Sequence, residues 1–196
     1  SPKDDRPFSV NSELSDCPWN KNHKLFRLGI KGEEKEYSSL PPSNLVFLID
    51  VSGSMNSPNK LPLLKSAFKL LTNQLRENDR VAIAVYAGAA GLVLPSVSGD
   101  NKETIISALE KLEAGGSTAG AEGIQLAYET ANKYFIKGGN NRVILATDGD
   151  FNVGPSSDGE LERIIEEKRK QGIFLTILGF GMGNYKDSKM EKLSNK

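Results

Sequence analysis

Oxygen-bearing side chains stand at three places in this sequence, behind two apolar strands and in the glycine-rich loop AGGSTAG. They are Asp50, Ser52, Ser54, Thr118 and Asp148. Carboxylate and hydroxyl oxygens are hard ligands that suit Mg²⁺, Mn²⁺ or Ca²⁺, and the set contains no imidazole or thiolate that would favour zinc. The residue types therefore indicate a site for a hard divalent cation.

The charges of this set indicate what the site could bind besides the ion. Asp50 and Asp148 together balance a doubly charged cation, whereas the hydroxyl groups add no negative charge. An ion held in this way stays electrophilic toward a further carboxylate. We therefore expect the site to accept an acidic group from elsewhere.

Apolar strands alternate with amphipathic helices from about Asn44 onward, including a long helix over residues 119–135 with Phe135 on its inward face. This alternation predicts a doubly wound α/β fold, in which helices flank a mostly parallel sheet. The carboxyl ends of parallel strands meet at one edge, where such folds bind their ligands. Pro95 confines its own short strand to the edge of the sheet or to a strand end.

The first 43 residues have a different character. Strand-like alternation in FSVNSEL and KLFRLGI predicts a short N-terminal antiparallel β extension. A polar segment that ends in Pro41 and Pro42 follows, and two consecutive prolines are typical of a linker. We therefore predict an extension and linker over residues 1–43 and the main domain over residues 44–196.

Overall composition excludes several classes of partner. The chain has 25 basic and 25 acidic residues, so no net charge attracts it to nucleic acid. The longest run without a charged or strongly polar residue, 81–94, is shorter than the ~18 residues of a membrane helix and contains glycines, so we expect no direct membrane insertion. Cys17 is the only cysteine and cannot form an intrachain disulfide.

The separated pieces Asp50-Val51-Ser52-Gly53-Ser54, Thr118 and Asp148-Gly149 resemble the metal-ion-dependent adhesion site of von Willebrand factor type A domains. The resemblance implies that Ser52, Ser54 and Thr118 bind the ion directly or nearly so. It implies that Asp50 and Asp148 bind it directly or through water. In that family the remaining coordination position is filled by water or by an aspartate or glutamate of a partner protein.

The wider sequence is similar to that of bacterial cell-envelope members of this family, and a location outside the cytoplasm is suggested by that resemblance alone. The similarity extends over segments such as CPWNKNH and NRVILATDGDFNVG. The sequence ends at Lys196 within a predicted helix, so we expect the family's last strand and helix to be missing from it.

Other functions fit these residues less well. An aspartate or serine after a strand can simply cap a helix or satisfy a turn. A metal-assisted hydrolase is an alternative, but phosphatases of the haloacid dehalogenase type need a second acid where this chain has Ser52. A serine-hydrolase triad would need His23, the sole histidine, and Cys17 with His23 falls short of a zinc site. A scaffold subunit for an ATPase assembly machine is a further alternative, and we expect no catalysis.

Overall fold

A computed structural model of the chain describes residues 6–33, 36–87, 89–115, 120–149 and 158–181. The chain forms two compact units, Ser1–Leu40 and Pro41–Lys196. Each unit is described separately below.

The first unit contains an antiparallel pair of strands, β1 (Phe8–Asp16) and β2 (Lys24–Gly32). The predicted antiparallel extension is therefore confirmed. Residues directly opposite each other in an antiparallel pair lie on the same face. The large apolar side chains share one face and are more than half exposed: Phe8, Val10, Leu14, Phe26, Leu28 and Ile30.

The second unit is built on a sheet with the strand order β5-β4-β3-β6-β7. The strands are β3 (Ser43–Asp50), β4 (Arg80–Ala87), β5 (Ala89–Ser98), β6 (Asn140–Thr147) and β7 (Ile173–Gly179). The helices are α1 (Leu61–Gln74), α2 (Lys102–Glu110), α3 (Gly120–Lys133) and α4 (Asp158–Lys170). Neighbouring strands are parallel except β4 and β5. The mostly parallel α/β fold that the sequence predicts is confirmed.

Strand β3 is buried on both faces, which explains its continuous apolar sequence. Phe47 faces one core and stacks on Phe68 of α1, with ring centroids 4.2 Å apart. Leu48 faces the other core. Helices α1 and α2 contribute to the first core, and α3 and α4 to the second.

Strand β5 lies at one edge of the sheet, as Pro95 predicts. Its pairing with β4 shifts register between Leu94 and Val97, so Pro95 falls within an irregular stretch. A proline there removes no hydrogen bond from a regular ladder.

The end of α3 differs from the prediction. The helix ends at Lys133, and Phe135 is 41% exposed rather than inward. The Asn141 side chain accepts the N–H of Ile136 at 2.8 Å and donates to its carbonyl at 2.9 Å. These bonds replace helical hydrogen bonds, so the chain leaves the helix before Phe135 can pack inward.

Helix α4 is followed by Gly172 with φ +87°, a conformation that favours glycine. In the sequence, Ser157 followed by Glu160 is a capping-box pattern that predicts the start of this helix, and YKDSKMEKLSNK predicts the beginning of one more. Ser157 and that last segment lie outside the described residues. Of the helices in the described ranges, none has the length and apolar character that a membrane span requires.

Candidate metal centre

Asp50 lies at the carboxyl end of β3 with its side chain fully buried. Its Oδ1 accepts the Ser52 backbone N–H at 2.9 Å. Its Oδ2 accepts the Tyr86 hydroxyl at 3.1 Å and the Thr147 hydroxyl at 3.1 Å. The two hydroxyl donors come from the ends of β4 and β6, the strands beside β3. The sheet therefore fixes the orientation of this carboxylate.

A tight turn carries the two serines that follow. Met55 is fully buried in the first core, and its N–H donates to the Ser52 carbonyl at 3.0 Å. The hydroxyl oxygens of Ser52 and Ser54 are 3.1 Å apart. Ser52 is buried whereas Ser54 is exposed. The turn thus presents a pair of hydroxyl oxygens that opens toward solvent at Ser54.

Asp148 follows β6 and is joined to the serine turn by a lysine. The Lys60 ammonium donates to Asp148 Oδ2 at 2.8 Å and to the Ser54 carbonyl at 3.1 Å. The Asp148 side chain is only 2% exposed and that of Lys60 12%. The structure therefore brings Asp50, Ser52, Ser54 and Asp148 to one edge of the sheet.

Thr118 lies outside the described residues, but both flanks of its loop are described. On one flank, the Gly115 N–H donates to the Val51 carbonyl at 2.7 Å. On the other, Gly123 of α3 packs so closely that an added Cβ would lie 3.0 Å from Tyr86 Cβ and 3.2 Å from Leu48 Cδ1. A side chain at position 123 would push α3 away from β3 and β4.

The electrostatics of Asp50 reflect its burial. Burial raises the pKa of Asp50 above its ordinary value, although hydrogen bonds from Ser52, Thr147 and Tyr86 oppose the change. Burial also raises the pKa of Tyr86, and the negative charge of Asp50 raises it further. Tyr86 therefore stays protonated and able to donate. The charge on Asp50 is not fully compensated by these hydrogen bonds, so a cation nearby would stabilise it.

The donor set fits a hard divalent ion. Two carboxylates and two serine hydroxyls meet here, all of them oxygen donors. Nowhere in the described ranges do three or more His, Cys, Asp or Glu side chains cluster as metal ligands. An ion at this edge would thus depend on the hydroxyl groups as well as the carboxylates.

The sequence interpretation missed three residues that contact the site: Lys60, Tyr86 and Thr147. Tyr86 lies beside Asp50 in the parallel pairing of β4 with β3. A polar side chain at the end of an apolar strand was therefore the sequence signal that could have placed it at the site. Thr147 directly precedes Asp148 and is likewise a polar residue at a strand end. Lys60 had no such signal, because its place beside Asp148 depends on the tertiary fold.

The chain matches known proteins over most of its length. The uncharacterized protein YfbK of Escherichia coli (strain K12) is 46% identical over 189 residues, covering 96% of this chain. The aligned part is 33% of that relative, so the chain spans about a third of its length.

Solved structures share the fold at low sequence identity. The von Willebrand factor type A protein from Catenulispora acidiphila has a TM-score of 0.67 and 19% identity, covering 96% of this chain and 43% of that one. Manganese-loaded Plasmodium vivax TRAP protein has a TM-score of 0.62 and 19% identity, covering 79% of this chain and 63% of that one. Residues 44–196 match the family model of the von Willebrand factor type A domain, and the chain therefore belongs to that family.

Proposed function

We propose that residues 44–196 form a divalent-metal-dependent protein-binding module with a metal-ion-dependent adhesion site. The ion would be Mg²⁺, Mn²⁺ or Ca²⁺, held by Asp50, Ser52, Ser54, Thr118 and Asp148. A partner protein would supply an aspartate or glutamate carboxylate that completes the coordination. Domains of this family generally mediate protein–protein interaction, and the proposal specifies how this one does so.

The observation that carries the proposal is the position of the Lys60 ammonium. This cation lies between Asp148 and the carbonyl of Ser54, whose hydroxyl is paired with that of Ser52. Oxygen atoms from separate strand ends thus converge on a point that already attracts positive charge. One structural neighbour, the TRAP protein, is manganese-loaded, which supports the idea that a protein of this fold can carry such an ion.

Three of the described ligands have a defined task in this proposal. Asp50 is held in orientation by Tyr86 and Thr147, so that its charge faces the serine turn. Ser52 and Ser54 present neutral oxygens and leave positive charge on the ion for a partner's carboxylate. A bound ion would offer a coordination position to a partner's carboxylate, and Ser54, which is exposed, would lie on the solvent side of the site.

A hydrolase is less well supported by the same residues. Position 52 is serine, and its backbone N–H donates to Asp50. A phosphatase using Asp50 as nucleophile would need a carboxylic acid there to protonate the leaving group. The observed bond instead makes the turn a rigid support for the carboxylate.

Calorimetric titration with Mn²⁺ tests the site. We expect the wild-type domain to bind one ion, and Ser54→Ala to weaken binding by about tenfold because a donor oxygen is lost. The matched control is Ser57→Ala, in the same segment, where the backbone carbonyl accepts the Lys60 N–H and is kept by the substitution. Equal affinities of wild type, Ser54→Ala and Asp148→Ala would refute the site.

A second experiment tests the role of the carboxylate. Mn²⁺ with an open position carries water that relaxes solvent protons, and a carboxylate that replaces this water lowers the relaxation rate. We expect the rate of the Mn²⁺-loaded domain to fall on titration with a glutamate-containing peptide but not with its glutamine counterpart. A loaded domain that responds equally to both peptides would contradict carboxylate capture while leaving ion binding intact.

A further inference from the structure

Lys60 is a positively charged side chain that bonds a candidate ligand of the ion. It immediately precedes α1, and its ammonium reaches across to Asp148 Oδ2 at 2.8 Å. The same ammonium donates to the Ser54 carbonyl at 3.1 Å. The lysine therefore links the serine turn to the end of β6.

The backbone holds this lysine in place. The Lys60 N–H donates to the Ser57 carbonyl at 2.9 Å, and its own carbonyl accepts the Leu64 N–H at 2.9 Å. Gly181, with φ +90°, lies so close that an added Cβ would be 2.6 Å from Lys60 Cε. The aliphatic part of the Lys60 side chain thus packs against the backbone of Gly181, where a larger residue would block it. The ammonium is thereby directed to the Asp148 carboxylate.

The charges explain why a cation is needed there. Asp50 and Asp148 are both buried, and buried carboxylates are costly unless they are compensated. Asp50 is compensated in part by hydrogen bonds, whereas Asp148 has the Lys60 ammonium. The lysine leaves this group of three charges with a net charge of about −1, and a divalent ion added to it would bring the total to about +1.

We propose that Lys60 is a tethered cation that competes with the divalent ion for Asp148. In the ion-free domain its ammonium occupies the place beside the Asp148 carboxylate where the ion would bind. The proposal rests on the proposed function. Two cations that share a carboxylate repel each other strongly in a partly buried site. Ion binding therefore has to displace the ammonium from Asp148, which sets a limit on the affinity of the site.

This arrangement has a structural consequence in the absence of the ion. The ion pair keeps Asp148 and the serine turn together, so the site stays assembled before the ion arrives. Removing the lysine charge should therefore have opposite effects in the two states. The ion-free domain should become less stable, and the ion should bind more tightly.

Lys60→Met tests both effects, because methionine keeps much of the apolar stem and removes the charge. We expect Mn²⁺ to bind Lys60→Met at least about tenfold more tightly than wild type in calorimetric titration. Lys60→Arg keeps the charge and should retain an affinity near that of wild type. Lys111→Met removes one positive charge from an exposed position after α2 and controls for net charge.

Thermal unfolding supplies the second readout. In excess chelator we expect Lys60→Met to melt about 3 °C below wild type, and in saturating Mn²⁺ the order should reverse. Mn²⁺ affinity in Lys60→Met that is equal to or weaker than wild type would overturn the tethered-cation role and leave the proposed function standing. A wild-type domain that binds no Mn²⁺ would instead refute the proposed function.

Discussion

Strands β3 and β6 lie side by side in the main sheet and carry polar side chains at both ends, but the two ends are bonded differently. At the amino ends, Asn44 donates to the Ala131 carbonyl at 2.9 Å and to Asn141 Oδ1 at 3.1 Å. Asn141 in turn bonds the backbone of Ile136. These amides are neutral, buried and tied to fixed backbone groups.

The carboxyl ends of the same strands carry charge instead. Asp50 and Asp148 are buried like the asparagines, but Asp50 is held by side-chain hydroxyls and Asp148 by a lysine ammonium. Nearby Ser54 is exposed. The polar side chains at the amino end therefore stabilise the fold, whereas the carboxyl end keeps negative charge that the protein alone does not fully neutralise. We expect substitutions at the two ends to separate stability from ion binding.

Among the substitutions considered, Asp50→Asn should have the largest effect, and this effect should be a loss of ion affinity. We expect Mn²⁺ affinity to fall by about 100-fold or more, because the charge that balances the ion is lost. Stability without the ion should stay within about 1 kcal/mol of wild type or rise. The pKa of Asp50 is raised in the folded state, so at neutral pH its ionised form opposes folding, and a neutral side chain removes that cost.

Calorimetry and chemical denaturation in chelator measure the two quantities. A large loss of stability in Asp50→Asn with unchanged Mn²⁺ affinity would show that the carboxyl end is structural as well.

Asp79→Asn is the counterpart at the amino end. Asp79 is buried and accepts the Ser43 N–H at 2.8 Å, the Arg76 N–H at 2.8 Å and the Arg76 guanidinium. We expect a loss of about 2–3 kcal/mol of unfolding free energy, because the substitution removes the charge that pairs with Arg76. Mn²⁺ affinity should change little.

The same substitution predicts a pH dependence. Burial alone raises the pKa of Asp79, but hydrogen bonds from Arg76 and Ser43 lower it more, leaving it below the ordinary 3.8. A lowered folded-state pKa stabilises the protein above the unfolded value and loses that contribution as pH falls through the folded value. The stability difference between wild type and Asp79→Asn should therefore be full at pH 7 and shrink below about pH 4. A difference that is constant from pH 7 to 3 would contradict this assignment.

Asn141→Ala should have a smaller effect at the same end. The substitution removes the side chain that bonds the Ile136 N–H and carbonyl. We expect about 1–2 kcal/mol of destabilisation, since water can reach part of this loop. Denaturant unfolding measures the change, and a Mn²⁺ affinity reduced along with stability would show that the two ends are coupled.

Tyr86→Phe should have the smallest effect among these substitutions. It removes one hydroxyl from Asp50 Oδ2 and leaves the ring in the core. We expect Mn²⁺ affinity to fall by about three- to tenfold, because a group that orients a ligand is lost. Val85→Ala, one position earlier in β4 and packed against the first core, is the control for a packing change that removes no hydroxyl. Equal affinity of wild type and Tyr86→Phe would mean that Thr147 alone orients Asp50.

The sequence predicted those features of the fold and of the site that depend on local residue patterns. The apolar runs and helical spacing predicted the sheet and its helices, and the alternation of Asp50, Ser52 and Ser54 behind a strand predicted the turn. Lys60 could not be placed from sequence, because its contact with Asp148 depends on how separate elements meet. Tyr86 offered one signal, a polar side chain at a strand end, which the sequence interpretation did not use. The inward direction of Phe135 was wrong because a side chain on the next strand, Asn141, ends α3 early.

The most direct test of the metal centre is anomalous diffraction from crystals of the domain grown with Mn²⁺. We expect a single anomalous peak at the carboxyl edge of the sheet, at or near coordination distance from the Ser52, Ser54 and Thr118 hydroxyls and bonded directly or through water to Asp50 and Asp148. No peak at this edge at saturating Mn²⁺, or a peak held by other residues, would contradict the proposed metal centre.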